Sequence, residues 1–389
     1  MIPRAASATL QRLAKGFPIL ALTGPRQSGK TTLAKSVFPH KPYVSLENPD
    51  EREFAERDPR GFLARFEAGA ILDEVQRCPA LLSWLQGVVD ARGVMGDFVL
   101  TGSAQLELIA GVTQTLAGRV ARVELLGLSA PELVAAQKLP ATLEEMLLLG
   151  SYPALYAREI ASHDWFPNYV ATYLERDVRQ LIAVRDLSQF QRFVRMCAAR
   201  SGQLLNLAAM GADCGISAVT AREWLSVLEA SYLVTRLHPY HRNFGKRLVK
   251  TPKLYFLDVG LMAWLLGIRE AESIQTHAAR GALFETYVVS EFIKQGFNAG
   301  QPAQLYFWRD SAGHEVDLLF ETREGLQAVE IKSGATFGAD WPDAIAKWKK
   351  FAQDEARSPM LVYGGDGSYE RQGCSVRGWR ALAAEMASP

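Results

Sequence analysis

The chain has 389 residues, 48% hydrophobic and 22% charged, which excludes a disordered or fibrous polypeptide and allows several domains. A net charge of +1 excludes a whole-molecule field that would draw the chain onto nucleic acid or a membrane surface. Four cysteines, Cys78, Cys197, Cys214 and Cys374, lie far apart, which argues against a disulfide framework or zinc site and fits a reducing cytoplasm.

The first apolar run, Phe17 to Leu22, follows Arg4, Arg12 and Lys15. It is too short for a signal peptide and leads straight into a glycine-bearing loop, so it reads as a strand. No apolar run approaches the ~18 residues of a membrane span, so no membrane partner is expected. The loop, Gly24-Pro25-Arg26-Gln27-Ser28-Gly29-Lys30-Thr31, is a complete G-x-x-x-x-G-K-[ST] phosphate-binding motif, with Thr32 next in a helix-compatible stretch, Thr31 to Phe38. Glycines let successive backbone N–H groups turn toward phosphate oxygens. The helix N-terminus adds partial positive charge. Lys30 is expected to reach the β- and γ-phosphates of ATP, and Thr31 to ligate Mg²⁺. The bland alternative is a glycine-rich turn before an ordinary helix.

Strands are predicted at 17–23, 43–47, 69–73, 97–102 and 120–125, and helices at 30–38, 50–66, 79–91 and 104–117. That alternation predicts an α/β fold with a parallel sheet over residues 1–127. Ala70-Ile71-Leu72-Asp73-Glu74 ends its strand in two carboxylates. Ligands bind at the carboxyl ends of such strands. Asp73 would hold Mg²⁺ through water and Glu74 would polarise the attacking water. A solvated acidic turn is the other reading. On the next strand, Thr101 or Ser103 offers a hydroxyl toward a γ-phosphate, though Ser103 serves equally as a helix cap. Arg119 precedes the fifth strand, either as a phosphate-stabilising arginine, in cis or from a neighbouring subunit, or as a surface residue. Action in trans would imply a homo-oligomer.

These segments resemble those of a large group of bacterial and archaeal AAA-type ATPases, in which such a core precedes a C-terminal domain of unknown function. The resemblance also takes in Leu116–Arg119, Gly150-Ser151-Tyr152-Pro153 and Tyr173-Leu174-Glu175-Arg176-Asp177. It covers nearly the whole chain. Gly127-Leu128-Ser129-Ala130-Pro131 departs from the expected turn after the fifth strand. The resemblance implies the sensor role for Thr101 or Ser103.

Residues 128–188 read as a helical lid broken at Pro131, Pro140 and Pro153. The charged run Glu175-Arg176-Asp177 with Arg179 fits a solvated helix face. Residues 189–270 read as a winged helix: a helix-turn-helix with Ser217 as cap, then two strands, Val234 to Leu237 and Lys253 to Leu257. The segment between these strands is basic with interleaved aromatics, carrying Arg242, Lys246, Arg247 and Lys250. Basic side chains meet phosphates and aromatics stack on bases. Arg222 is the one evident base reader on the second helix. DNA, a protein partner and a purely structural role stay open for this region.

Residues 271–389 are expected to hold a helix at 280–295 and strands at 304–309, 314–320 and 326–332. Glu330 and Lys332 share a strand face. A turn centred between Arg323 and Glu324 would set Asp317 opposite Glu330, with Cβ atoms about 4.5–5.5 Å apart. Two carboxylates so placed repel unless a cation such as Mg²⁺ or Mn²⁺ lies between them. Lys332 would then orient or deprotonate water. A charged hairpin with Lys332 paired to Glu330 is the other reading.

Gly313-His314-Glu315-Val316-Asp317 with Val329-Glu330-Ile331-Lys332 resembles the PD-(D/E)xK nucleases, in particular the Holliday-junction-resolvase branch. That resemblance implies a restriction-endonuclease-like domain and matches Glu285 to the family's first acidic residue. The usual proline before the aspartate is absent. The expectation is an ATPase whose nucleotide state controls a nuclease-like domain acting on DNA. The alternatives are a nucleotide-gated binding module without nuclease activity, and an AAA-type oligomer working on proteins.

Overall fold

The computed structural model describes residues 2–102, 116–173, 186–240, 250–338, 341, 343–352 and 356–385. The chain divides into two compact units, one of residues 1–128, 230–232 and 296–302, and a second of residues 129–229, 233–295 and 303–389.

The first unit opens with α1 (Ala6–Leu13), which the sequence reading did not anticipate. Five strands follow: β1 (Ile19–Thr23), β2 (Tyr43–Ser45), β3 (Ala70–Asp73), β4 (Phe98–Gly102) and β5 (Val120–Glu124). All pair in parallel, in the order β2-β3-β4-β1-β5. Every residue of β1, β3 and β4 is buried, as expected of a sheet covered on both faces. The helices α2 (Lys30–Val37) and α5 (Leu81–Arg92) fall in the gaps between strands, close to the expected 30–38 and 79–91. The single helix expected at 50–66 is two, α3 (Pro49–Arg57) and α4 (Pro59–Ala64). Pro59 causes the break: it excludes Asp58 from helical geometry, and Asp58 instead caps the next helix by accepting from Gly61 N at 2.9 Å. The helix expected at 104–117 falls mostly outside the described residues.

The second unit begins with short helices, α6 (Ala130–Ala135), α7 (Leu143–Leu149), α8 (Pro153–Ala157) and α9 (Ser162–Tyr169). Capping boxes Ser129/Glu132 and Thr142/Glu145 start the first two. Asp258 ties this segment down. It accepts from Ser151 N and Ser151 Oγ, both at 2.7 Å, and from Leu261 N at 2.7 Å. A Cβ on Gly150 would lie 2.5 Å from Asp258 and 2.7 Å from Gly260 N, so only glycine fits. The Gly-Ser-Tyr-Pro motif is thus explained by packing. The charged run beginning at Glu175 lies outside the described residues.

Next come α10 (Leu187–Ala199), α11 (Leu207–Cys214) and α12 (Ala218–Ala230). Ser217 caps α12 by accepting from Thr220 N at 3.0 Å. The strands β6 (Val234–Pro239) and β7 (Lys253–Phe256) form an antiparallel pair. Further helices are α13 (Val259–Leu265), α14 (Ala271–Ile274) and the long α15 (Arg280–Asn298). Then β8 (Leu305–Arg309), β9 (Glu315–Thr322), β10 (Gly325–Lys332), α16 (Asp343–Ala352), β11 (Met360–Tyr363), β12 (Ser368–Arg371), β13 (Cys374–Gly378) and α17 (Trp379–Glu385) complete the unit.

One eight-stranded mixed sheet runs in the order β12-β13-β11-β10-β9-β8-β6-β7. The sequence reading kept β6 and β7 apart from the C-terminal strands, but β6 pairs with β8 through His238–Tyr306 and Pro239–Phe307. Non-local pairing of this kind leaves no local pattern. Two helices cover opposite faces of β9. Phe292 of α15 lies 5.5 Å from Phe320, and Trp348 of α16 packs with Leu319 and Trp308. Leu319 is therefore buried beside Val316 and Leu318, and strict alternation fails. No helix among the described residues is long and apolar enough to cross a membrane.

Candidate functional site

The phosphate loop leaves β1 at the carboxyl edge of the sheet. Gly24 has φ 149° and a Cβ there would lie 2.0 Å from Leu125 O, so the loop's first position requires glycine. Gln27 and Gly29 also take positive φ, 63° and 92°, which curls the backbone before α2. Pro25 O accepts from Ser28 N at 3.4 Å, and Arg26 pairs with Glu47 at 3.7 Å. Lys30 is buried and folds back on the loop, donating to Gly24 O at 2.9 Å and Pro25 O at 2.7 Å. Burial lowers its pKa to about 8, against the opposing pull of Glu74 and Asp73. The buried Ser28 Oγ has no hydrogen-bond partner among the described residues, an orphaned polar atom inside the loop. Thr32 is exposed on α2.

Three hydroxyls converge on Asp73 at the end of β3. Thr31 Oγ1 lies 3.1 Å from both carboxylate oxygens, Tyr43 OH donates at 2.7 Å, and Thr101 Oγ1 donates to Oδ1. Sheet register explains the last contact: Leu72 pairs with Leu100, so the next residues, Asp73 and Thr101, are neighbours. Burial and the Asp73 carboxylate push the Tyr43 phenol up to about 12, so it stays a donor. Glu74 follows in the left-handed region at φ 54°, unusual for a residue with a Cβ, and accepts from Gln76 Nε2. A hydroxyl and a carboxylate side by side, with an ammonium and a second carboxylate nearby, fit a magnesium–triphosphate group.

Ser103 lies outside the described residues. Arg119 is corrected as a residue acting in cis. Its carbonyl accepts from Ile19 N at 3.1 Å, at the amino edge of the sheet, opposite the loop. Its guanidinium is held by Asp90, Nε–Oδ1 2.5 Å and Nη2–Oδ2 2.8 Å. Sequence reasoning missed Tyr43, Gln76 and Arg4. Arg4 Nη1 donates to Ser28 O at 2.7 Å and Nη2 to Leu126 O at 2.9 Å, bracing the loop from outside. Tyr43 and Arg4 carry no motif because each reaches its partner through tertiary proximity, whereas Gln76 meets Glu74 only two residues away, through the local turn after β3.

The second cluster lies on β7, β9, β10 and α15. The β9–β10 pairing runs from Thr322–Gly325 to Leu318–Val329, so the next step sets Asp317 across from Glu330. Asp317 Oδ2 accepts from Ile331 N at 2.8 Å. Lys332 donates to Glu330 Oε1 at 2.6 Å, while Glu330 Oε2 is buried with no partner among the described residues. Burial, with Glu330 and Glu285 nearby, holds the Asp317 carboxyl well above the usual carboxylate range. Burial also raises Glu330, against the pull of Lys332.

The expected metal set is not assembled. Glu285 Oε1 is taken by Lys253 Nζ at 2.9 Å and Tyr255 OH at 2.5 Å. Lys253 also pairs with Glu315 Oε1 at 2.5 Å, and Arg309 with Glu315 Oε2 at 2.9 Å. Among the described residues, no group of three or more His, Cys, Asp or Glu side chains is placed to hold a metal ion. As they stand, these residues do not fit a divalent ion at Glu285, Asp317 and Glu330. Lys253 and Tyr255 escaped sequence reasoning because they read as ordinary strand positions. Of the basic residues expected to meet nucleic acid, Arg222 and Lys250 are exposed, and Arg242, Lys246 and Arg247 lie outside the described residues.

A parallel sheet with a phosphate loop after its first strand and an acidic pair after its third defines a P-loop ATPase. Residues 16–134 match the family described as AAA domain, which supports an AAA-type, nucleotide-binding ATPase domain in this part of the chain. Residues 140–272 and 280–382 match two families described as domains of unknown function, DUF8612 and DUF4143. The chain belongs to the family of Rv2008c of Mycobacterium tuberculosis, a protein described as uncharacterized. It is 32% identical to that protein over 338 residues, 86% of this chain and 74% of the relative. The Mycobacterium bovis protein Mb2031c matches to the same extent. Among solved structures, the Walker-type ATPase PABY2304 of Pyrococcus abyssi aligns over 68% of this chain and 96% of its own, at 15% identity and a TM-score of 0.45.

Proposed function

We propose that this chain is an ATP-driven switch in which hydrolysis in the first unit sets how the C-terminal unit engages DNA. The observation that carries the ATPase half is the convergence of Thr31 and Thr101 on Asp73 beneath the buried Lys30. Lys30 charges the loop toward the β- and γ-phosphates. Thr31 and Asp73 would hold Mg²⁺, which would supply charge neutralisation on the phosphates. Thr101 keeps Asp73 in place, and Glu74 accepts the proton of the attacking water. Loss of ATP turnover in Lys30→Ala and Glu74→Gln is the expected result. Turnover that survives both changes would remove this account.

The DNA half rests on the order of elements. Helices α11 and α12, joined by a short turn and followed by the β6–β7 pair, support a winged helix. Arg242, Lys246, Arg247 and Lys250 are its proposed phosphate contacts, and Arg222 its proposed base reader. Binding should weaken with salt and with charge reversal at Arg242, Lys246 and Arg247, and should differ with and without ATP. Unchanged binding would move the partner from DNA to protein.

A second reading, that of an active PD-(D/E)xK nuclease, is favoured by the Asp317–Glu330 register with Lys332 alongside. It requires cutting of DNA with Mg²⁺ or Mn²⁺ that Asp317→Ala abolishes. The capture of Glu285 by Lys253 weighs toward the gripping version over the cutting one. A finger role for Arg119 would be in trans, within a homo-oligomer, and light scattering with and without nucleotide tests for one.

A further inference from the structure

We propose that Lys253 is the resident cation of the C-terminal acidic cluster, standing in for a divalent metal, so that the wild-type site binds none. The proposal rests on reading this unit as nuclease-like.

Four carboxylates, Glu285, Glu315, Asp317 and Glu330, lie near enough across β9, β10 and α15 to raise one another's proton affinity. Such a group needs positive charge nearby. Two ammonium groups supply it. Lys253, whose side chain is 3% exposed, sits 2.9 Å from Glu285 Oε1 and 2.5 Å from Glu315 Oε1. Lys332 sits 2.6 Å from Glu330 Oε1. The arrangement is built around the first lysine. Tyr255 gives Glu285 a second donor at 2.5 Å, and Arg309 holds the other oxygen of Glu315 at 2.9 Å. Gly202 has no side chain on the other side of Glu285, where an added Cβ would lie 3.3 Å from Oε2. A divalent ion needs several free oxygens around it and would face the Lys253 charge directly. Glu330 Oε2 is a buried acceptor with no partner among the described residues, while the two lysines hold one oxygen each of Glu285, Glu315 and Glu330.

Removal of Lys253 charge should convert the cluster into a metal site. Lys253→Met keeps the apolar stem and frees Glu285 and Glu315 beside Asp317. The full chain, without nucleotide, is titrated with Mn²⁺, with bound metal read by electron paramagnetic resonance and stability by thermal unfolding. Weak binding at Asp73 is common to every variant and cancels. Wild type should bind no Mn²⁺ that Asp317→Asn removes. Lys253→Met should gain one Mn²⁺ per chain and a metal-dependent rise in Tm, both lost in Lys253→Met/Asp317→Asn. Mn²⁺ bound by wild type and lost in Asp317→Asn overturns the proposal, as does a folded Lys253→Met that binds no extra Mn²⁺. If Lys253→Met fails to fold, the comparison of wild type with Asp317→Asn still decides. DNA binding by wild type tests the nuclease-like reading separately, and its absence leaves the metal result standing.

Discussion

The Thr31 hydroxyl lies 3.1 Å from both carboxylate oxygens of Asp73, joining the start of α2 to the end of β3. A hydroxyl and a carboxylate in direct contact form a preorganised pair, which spares reorganisation during the reaction. Asp73→Asn should cut ATP turnover by at least ~10²-fold. Nucleotide affinity measured without Mg²⁺ should change little. An equal loss of affinity and turnover would mean that Asp73 shapes the loop instead.

The Lys30 ammonium supplies a pH signature. Burial lowers it to about 8 from an ordinary 10.5, and a triphosphate needs the charged form. Below pH 8 the free protein already carries that charge. As pH rises above 8, ATP must bring a proton with it, so affinity falls. Calorimetry in buffers of different ionisation heat should show proton uptake on ATP binding above pH 8, absent in Lys30→Ala.

Asp317 supplies the opposite slope. Burial and the nearby Glu330 and Glu285 raise its carboxyl well above 3.8, so the native state holds a proton that the unfolded chain has lost. Stability from this group is therefore full below 3.8 and is lost as pH rises through the raised value. Asp317→Asn keeps an acceptor for Ile331 N and removes the buried ionisable group. It should raise Tm at neutral pH by ~2–4 °C and flatten the pH dependence of unfolding. A lower Tm at neutral pH would show that the carboxylate is a net stabiliser.

Asp258 accepts three buried hydrogen bonds at 2.7 Å, two from Ser151 and one from Leu261 N. Asp258→Ala strands two backbone N–H groups and should cost ~2–4 kcal/mol. Ser151→Ala removes one hydroxyl bond and should cost ~1 kcal/mol. Denaturant unfolding of both variants checks the ratio, and equal costs would mean that the backbone contacts contribute nothing.

Much of the first unit was legible because its signals are local. The strand before Gly24, the loop itself and the acidic pair Asp73-Glu74 each occupy a few consecutive residues with one geometric use. The hairpin of β9 and β10 was legible for the same reason: a two-residue turn at Arg323-Glu324 sets the register of everything beside it. Pro59 was a readable break that the helical pattern of 50–66 concealed. Arg119 was legible too: a residue just before a strand of a parallel sheet lies at the amino edge, away from a loop that follows a strand.

The amino-acid string by itself determined a phosphate loop on a parallel sheet, the acidic pair after the third strand, and the facing of Asp317 and Glu330. Those features depend on short-range periodicity and turn chemistry, which act within a few residues. Only the tertiary structure decided that Tyr43 and Thr101 share Asp73, that β6 joins the C-terminal sheet, and that Lys253 takes Glu285. Each of these joins residues distant in sequence, and burial selects such partners by charge and shape after the chain has folded, leaving no trace in local pattern.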